Sequence, residues 1–114
     1  MIFLQVRFSS KGTTLVVGVI GELDHHSADY MRQKVDAEII KSSTKNIVFD
    51  LSKMSFMDSS GIGVIMGRYK NIQKLNGNAA LIGLNNQTKR IFDMSGLLKI
   101  IPVYDNVDSA LKNM

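Results

Sequence analysis

Three short runs, apolar almost throughout, constrain this chain more than any other feature: TTLVVGVI at Thr13 to Ile20, NIVFDL at Asn46 to Leu51, and Ala79 to Leu84. A strand with one face in water alternates polar and apolar residues, whereas a strand apolar on both faces must be covered on both. The segments between the runs supply the cover. Ala28, Met31, Val35 and Ile39 recur at helical spacing, with Asp24 or Ser27 ahead of them as a cap and Ser42-Ser43 behind as a stop. A second, glycine-bearing helix is predicted from about Ser60 to Leu75, ended by Asn76-Gly77, and a short third over Gln87 to Ser95, followed by Gly96.

The remaining segments complete the pattern. Phe3 to Ser9 alternates, with Leu4, Val6 and Phe8 on one side, and reads as a half-buried strand. The turn signal Lys11-Gly12 joins it to the next strand in a hairpin. Ser52 to Asp58 (SKMSFMD) reads as a loop, Ile100 to Val103 as a last strand, and Asp105 to Met114 as a terminal helix. Pro102 has no N–H for a ladder, which makes that last strand an edge. The order is β-β-α-β-α-β-α-β-α: an α/β fold with a mixed β-sheet flanked by helices, in one domain over residues 1–114.

With 114 residues, 45% hydrophobic and 21% charged, the chain has room for one core and the composition of an ordinary globular domain. It contains no cysteine, so disulfides, thiolate nucleophiles and Cys-ligated metals are excluded. The segment MIFLQVRFSSKG lacks the apolar core of a signal peptide, and Leu15 to Ile20 is too short to span a bilayer. The expectation is a mature cytoplasmic protein without a membrane partner. A net charge of +4 invites a nucleic-acid reading, but the basic residues are scattered and do not interleave with aromatics, as a solvated surface requires.

The stretch Met57 to Tyr69 (MDSSGIGVIMGRY) holds the candidate site. Asp58 and Ser59 stand just before a helix, where short polar side chains accept orphan N–H groups. Ile62, Ile65, Tyr69 and Ile72 form the stripe expected to pack on the sheet. Gly63 and Gly67 lie off that stripe, beside Lys70 and Lys74. Each costs roughly 0.5–1 kcal/mol against alanine, so either another molecule or another helix of this chain must come close there.

Several chemistries fail on spacing. The glycines stand about ten residues beyond the strand residue Asp50, too far for a dinucleotide fingerprint. No P-loop lysine follows them, and no G-x-S-x-G elbow frames the serines. Asp24-His25-His26 has no further histidine to complete a metal site. The chain is expected to be no enzyme and to need neither cofactor nor metal.

GELDHH at Gly21 to His26, FMDSSGIGVIMGRYK at Phe56 to Lys70 and RIFDMSGL at Arg90 to Leu97 resemble the signature blocks of the bacterial anti-sigma factor antagonists, the STAS-domain family. Within it, GELDHH and the long DSSG block are most similar to the sporulation group that frees sigma-F. The resemblance implies a STAS fold and a partner-switching cycle. An anti-sigma factor that is also a serine kinase binds the unphosphorylated protein, releases its sigma factor, and then phosphorylates the first serine of DSSG, Ser59. A serine phosphatase resets the switch. A stress-response member acting on a different anti-sigma factor is the alternative.

A phosphoryl group adds about −1.5 to −2 charges, which a helix N-terminus tolerates, so its effect should fall on the interface and not on the fold. If the second strand neighbours NIVFDL, Glu22 and Asp24 share the edge that carries Ser59. The expected docking surface is Asp24, Asp58, Ser59, Ser60, Gly63 and Gly67, on a protein that is monomeric when free.

Overall fold

The computed structural model describes residues 3–114. A two-residue turn at Gly12-Thr13 joins β1 (Leu4–Lys11) antiparallel to β2 (Thr14–Leu23), and Gly12 takes the positive φ the tight turn requires. Helix α1 (Ala28–Lys41) leads to β3 (Asn46–Met57), and α2 (Ser59–Lys74) to β4 (Ala79–Ile82). After α3 (Asn86–Met94) and a 3-10 turn at Leu97–Lys99 come β5 (Val103–Tyr104) and α4 (Val107–Lys112). The sheet order is β1-β2-β3-β4-β5, parallel from β2 onward, a mixed α/β sheet of the kind the apolar runs demand.

Strand alternation divides the core. Leu15, Val17, Ile47, Phe49 and Leu81 face α1, α2 and α3, where Met31, Val35, Ile65, Ile72 and Phe92 meet them. Val16, Val48, Ala80 and Ile82 point the other way and meet Ala110 and Val107 of α4. That second face is only partly covered, because α4 is short and packs on β3 to β5. Beyond it an open groove runs past Arg7, Gly18, Asp50 and Lys53.

The expected loop over Ser52 to Asp58 is instead the last part of β3, which pairs with β2 as far as Leu23 opposite Met57. Irregularities fall between Gly18 and Ile20 and between Gly21 and Glu22, and at each one β3 spends one more residue than β2. The extra residues turn the burial period from two to three, so that Leu51, Met54 and Met57 are the buried positions. The last strand also moves, from the expected Ile100 to Val103 to Val103–Tyr104. Pro102 precedes it and its carbonyl accepts from the Leu81 N–H, while the edge position stands.

Candidate functional site

Because β2 and β3 end side by side, whatever follows each strand meets at one edge of the sheet. Asp24 to Ser27 follow β2, and Asp58 with the start of α2 follows β3. The Asp58 N–H donates to the Leu23 carbonyl at 3.2 Å, which fixes one segment to the other.

Asp58 is the N-cap of α2, and its Oδ1 accepts the Ser60 N–H at 2.8 Å. Its Oδ2 accepts the His25 N–H at 3.3 Å and lies 3.6 Å from His25 Nδ1. One carboxylate therefore starts the helix and pins the neighbouring loop. Asp24 shapes that loop from within: its Oδ1 accepts the N–H groups of His26 at 2.9 Å and Ser27 at 3.2 Å. Ser27 occupies the N-cap of α1 but makes no side-chain cap; its hydroxyl donates back to the Glu22 carbonyl at 2.8 Å.

Both carboxylates are held below the ordinary aspartate range. Partial burial raises Asp24, but the N–H groups of His26 and Ser27 and the nearby imidazoles outweigh it. Partial burial likewise raises Asp58, and hydrogen bonds from Ser60 and His25 outweigh it. The edge thus carries two stable negative charges at neutral pH. His25 and His26 stand with ring centroids 3.9 Å apart, each beside a different carboxylate. Among the described residues no cluster of His, Cys, Asp and Glu is placed to hold a metal ion.

Ser59 is the first residue of α2 and is exposed, whereas Ser60 is half-buried behind it. Gly63 and Gly67 follow Ser59 at intervals of four, about 6 and about 12 Å along the axis. A Cβ built on either meets nothing within 4 Å, so among the described residues no helix uses the space they leave. Asp24, Asp58, Ser59 and Ser60 are thus gathered at one edge, and the two glycines extend an open track away from it.

The buried face of α2 is Gly61, Val64, Ile65, Arg68 and Ile72, rotated from the expected stripe; Ile62 and Tyr69 lie half-buried on its flank. Sequence reasoning missed three of these residues, Gly61, Val64 and Arg68, and two of them bear on the site. A Cβ on Gly61 would lie 2.5 Å from Met57 Cγ and 3.2 Å from Leu23 Cδ2, so any side chain here would have to displace Met57, and glycine lets α2 begin this close to the strand ends without that shift. Arg68 is buried between α2 and α1, with Nε 2.9 Å from Asp36 Oδ1 and Nη1 donating to the Val64 carbonyl at 3.2 Å. The Asp36 contact has ion-pair distance but not hydrogen-bond alignment, and it leaves the Nε–H without an aligned acceptor. Burial lowers the Arg68 pKa, Asp36 opposes that, and the guanidinium remains charged. The helical spacing of Met57 to Tyr69 held no signal of Asp36, which lies on another helix.

Residues 5–110 match the STAS domain family. An anti-sigma F factor antagonist from Paenibacillus polymyxa is 43% identical over 111 residues, covering 97% of this chain and 95% of that protein. An anti-sigma-B factor antagonist from Bacillus subtilis is 34% identical over 100 residues, covering 88% and 90%. Among solved structures, the antagonist SpoIIAA in its unphosphorylated form superposes with a TM-score of 0.81 at 27% identity, over 96% of this chain and 94% of that one. Its phosphorylated form, from Bacillus, gives 0.73 at the same identity, over 96% and 97%.

Proposed function

The chain belongs to the STAS-domain family of anti-sigma factor antagonists, and from that premise we propose that it is a sporulation switch thrown by phosphorylation of Ser59. Unphosphorylated, it binds an anti-sigma factor that is also a serine kinase and so frees the sigma factor. Phosphorylated, it lets go, and a serine phosphatase restores it. It works in the cytoplasm as a free monomer, without a cofactor of its own, through Asp24, Asp58, Ser59, Ser60, Gly63 and Gly67.

The observation that carries this reading is the position of Ser59, exposed at the first turn of α2 beside a carboxylate already committed to the Ser60 N–H. The free N–H groups and dipole of the helix start accept a phosphate without loss of fold. An interface pressed against that turn does not, because it would have to desolvate the dianion beside Asp58 and Asp24. The identity to an anti-sigma F factor antagonist, higher than that to an anti-sigma-B factor antagonist, favours sporulation over the stress response.

Incubation with the cognate anti-sigma factor and ATP, followed by intact mass and phosphosite mapping, tests this. Wild type and Ser60→Ala should each gain one phosphate and Ser59→Ala none. Absence of both phosphate and complex in the wild type would sink the reading.

A further inference from the structure

We propose that the open groove on the α4 side of the sheet binds a free acidic amino acid, a small molecule with two carboxylates and one ammonium. The groove encloses about 200 Å³ across β1, β2 and β3, on the sheet face opposite α1, α2 and α3. Its centre is a row of three residues in register: Arg7 pairs with Gly18, and Gly18 with Asp50. Arg7 and Asp50 therefore stand two strand spacings apart, about 10 Å between Cα atoms, with a bare glycine between them. Lys53, opposite Ile20, joins the rim.

The fold does not require glycine at position 18. Its φ is not positive, and a Cβ there would meet Arg7 only at 3.7 and 3.8 Å, ordinary contact distances. Glycine weakens a strand interior, and its use there often marks a place where a ligand comes close to the backbone. The charges around it point to the ligand. Among the described residues Arg7, Lys53 and Asp50 form no ion pair, so two free cations and one free carboxylate surround the trough. The carboxylate is held in place: Asp50 Oδ1 accepts the Ser52 N–H at 3.0 Å and the Ser52 hydroxyl at 2.7 Å, which leaves Oδ2 for a ligand. Ser52 is braced in turn by Gly83, where a Cβ would lie 2.6 Å from Ser52 N and 2.7 Å from its Cβ. An acidic amino acid mirrors this arrangement, with one carboxylate for the Arg7 fork, the other for Lys53 and an ammonium for Asp50 Oδ2. Val16 and Ile20, two residues to either side of Gly18 along β2, line the trough for its methylene groups. Exposed ion pairs are individually weak, so recognition rests on all three charges together.

Titration of the isotope-labelled protein, followed by amide NMR at neutral pH and constant ionic strength, tests this with L-glutamate, L-glutamine, glutarate and sulfate as probes. L-glutamate should give saturable shifts at Gly18, Asp50 and Ser52, with a Kd below about 1 mM. L-glutamine, which lacks one carboxylate, and glutarate, which lacks the ammonium, should each bind about tenfold more weakly, and sulfate should shift nothing there. Asp50→Asn keeps an acceptor for Ser52 and removes the charge; Arg7→Gln removes the fork from an exposed position on the edge strand. Each should lose about tenfold in affinity for L-glutamate at an unaltered melting temperature. Binding of glutarate, L-glutamine or sulfate as tight as that of L-glutamate would overturn the assignment. Affinity for L-glutamate unchanged in Asp50→Asn, or no saturable shift in the wild type, would overturn it too. Phosphorylation of Ser59 enters none of these outcomes, so the switch and the groove stand or fall separately.

Discussion

Helix α2 presents two faces, each marked by glycine, and the glycines do opposite things. Toward the sheet, Gly61 is tight: Met57 and Leu23 occupy the space a side chain would need. Toward solvent, Gly63 and Gly67 are loose, with nothing within 4 Å of a Cβ. The first is explained by this chain alone. The other two are not, since alanine would fit both and would favour the helix. A helical glycine without an internal neighbour leaves room for a surface outside the chain, which is the role proposed above for Gly63 and Gly67. The difference separates what α2 does for the fold from what is proposed for it toward a partner.

The sharpest way to break this comparison is to fill each face in turn. Gly61→Val drives a branched side chain into Met57 and Leu23 and should cost about 1–3 kcal/mol, which lowers the melting midpoint by roughly 10 °C. A midpoint within about 2 °C of wild type would mean that Met57 yields freely and that Gly61 is not what seats the helix. Gly63→Ala and Gly67→Ala should act in the other direction, each stabilising the free protein by about 0.5–1 kcal/mol while weakening the complex with the anti-sigma factor. A stabilised variant that binds as well as wild type would remove the glycine track from the interface.

The same division explains which parts of the molecule were legible in the sequence. Short apolar runs announced the central strands, and the edge shared by Asp24 and Asp58 followed on the condition, met in the structure, that β2 neighbours β3. The far half of β3 was not. Its two extra residues put Leu51, Met54 and Met57 three apart, a spacing that a search for period-two alternation rejects. Arg68 was illegible for a different reason: a cation on a helix reads as surface, and Asp36, which lets it be buried, sits on another element. Local chemistry and the meeting of strand ends were within reach; contacts between helices were not.

The smallest effect concerns the charge at the junction of the two faces. Asp58 caps α2 and pins His25, and those contacts hold its carboxyl below the ordinary 3.8. A group whose folded pKa lies below its unfolded one stabilises the fold fully above the unfolded value and loses that contribution as pH falls through the folded value. Asparagine caps a helix nearly as well as aspartate but carries no charge. Wild type should therefore exceed Asp58→Asn by a few tenths of a kcal/mol at pH 6, the scale of an exposed charge at a helix start, and the margin should shrink as pH falls below the ordinary 3.8 and the carboxylate becomes protonated. Denaturant unfolding of both proteins across that range measures it. A margin that stays constant with pH would show that shape and not charge holds the junction. The same carboxylate would then have little electrostatic part in repelling a phosphorylated Ser59 from its partner, leaving desolvation of the phosphate to end the complex.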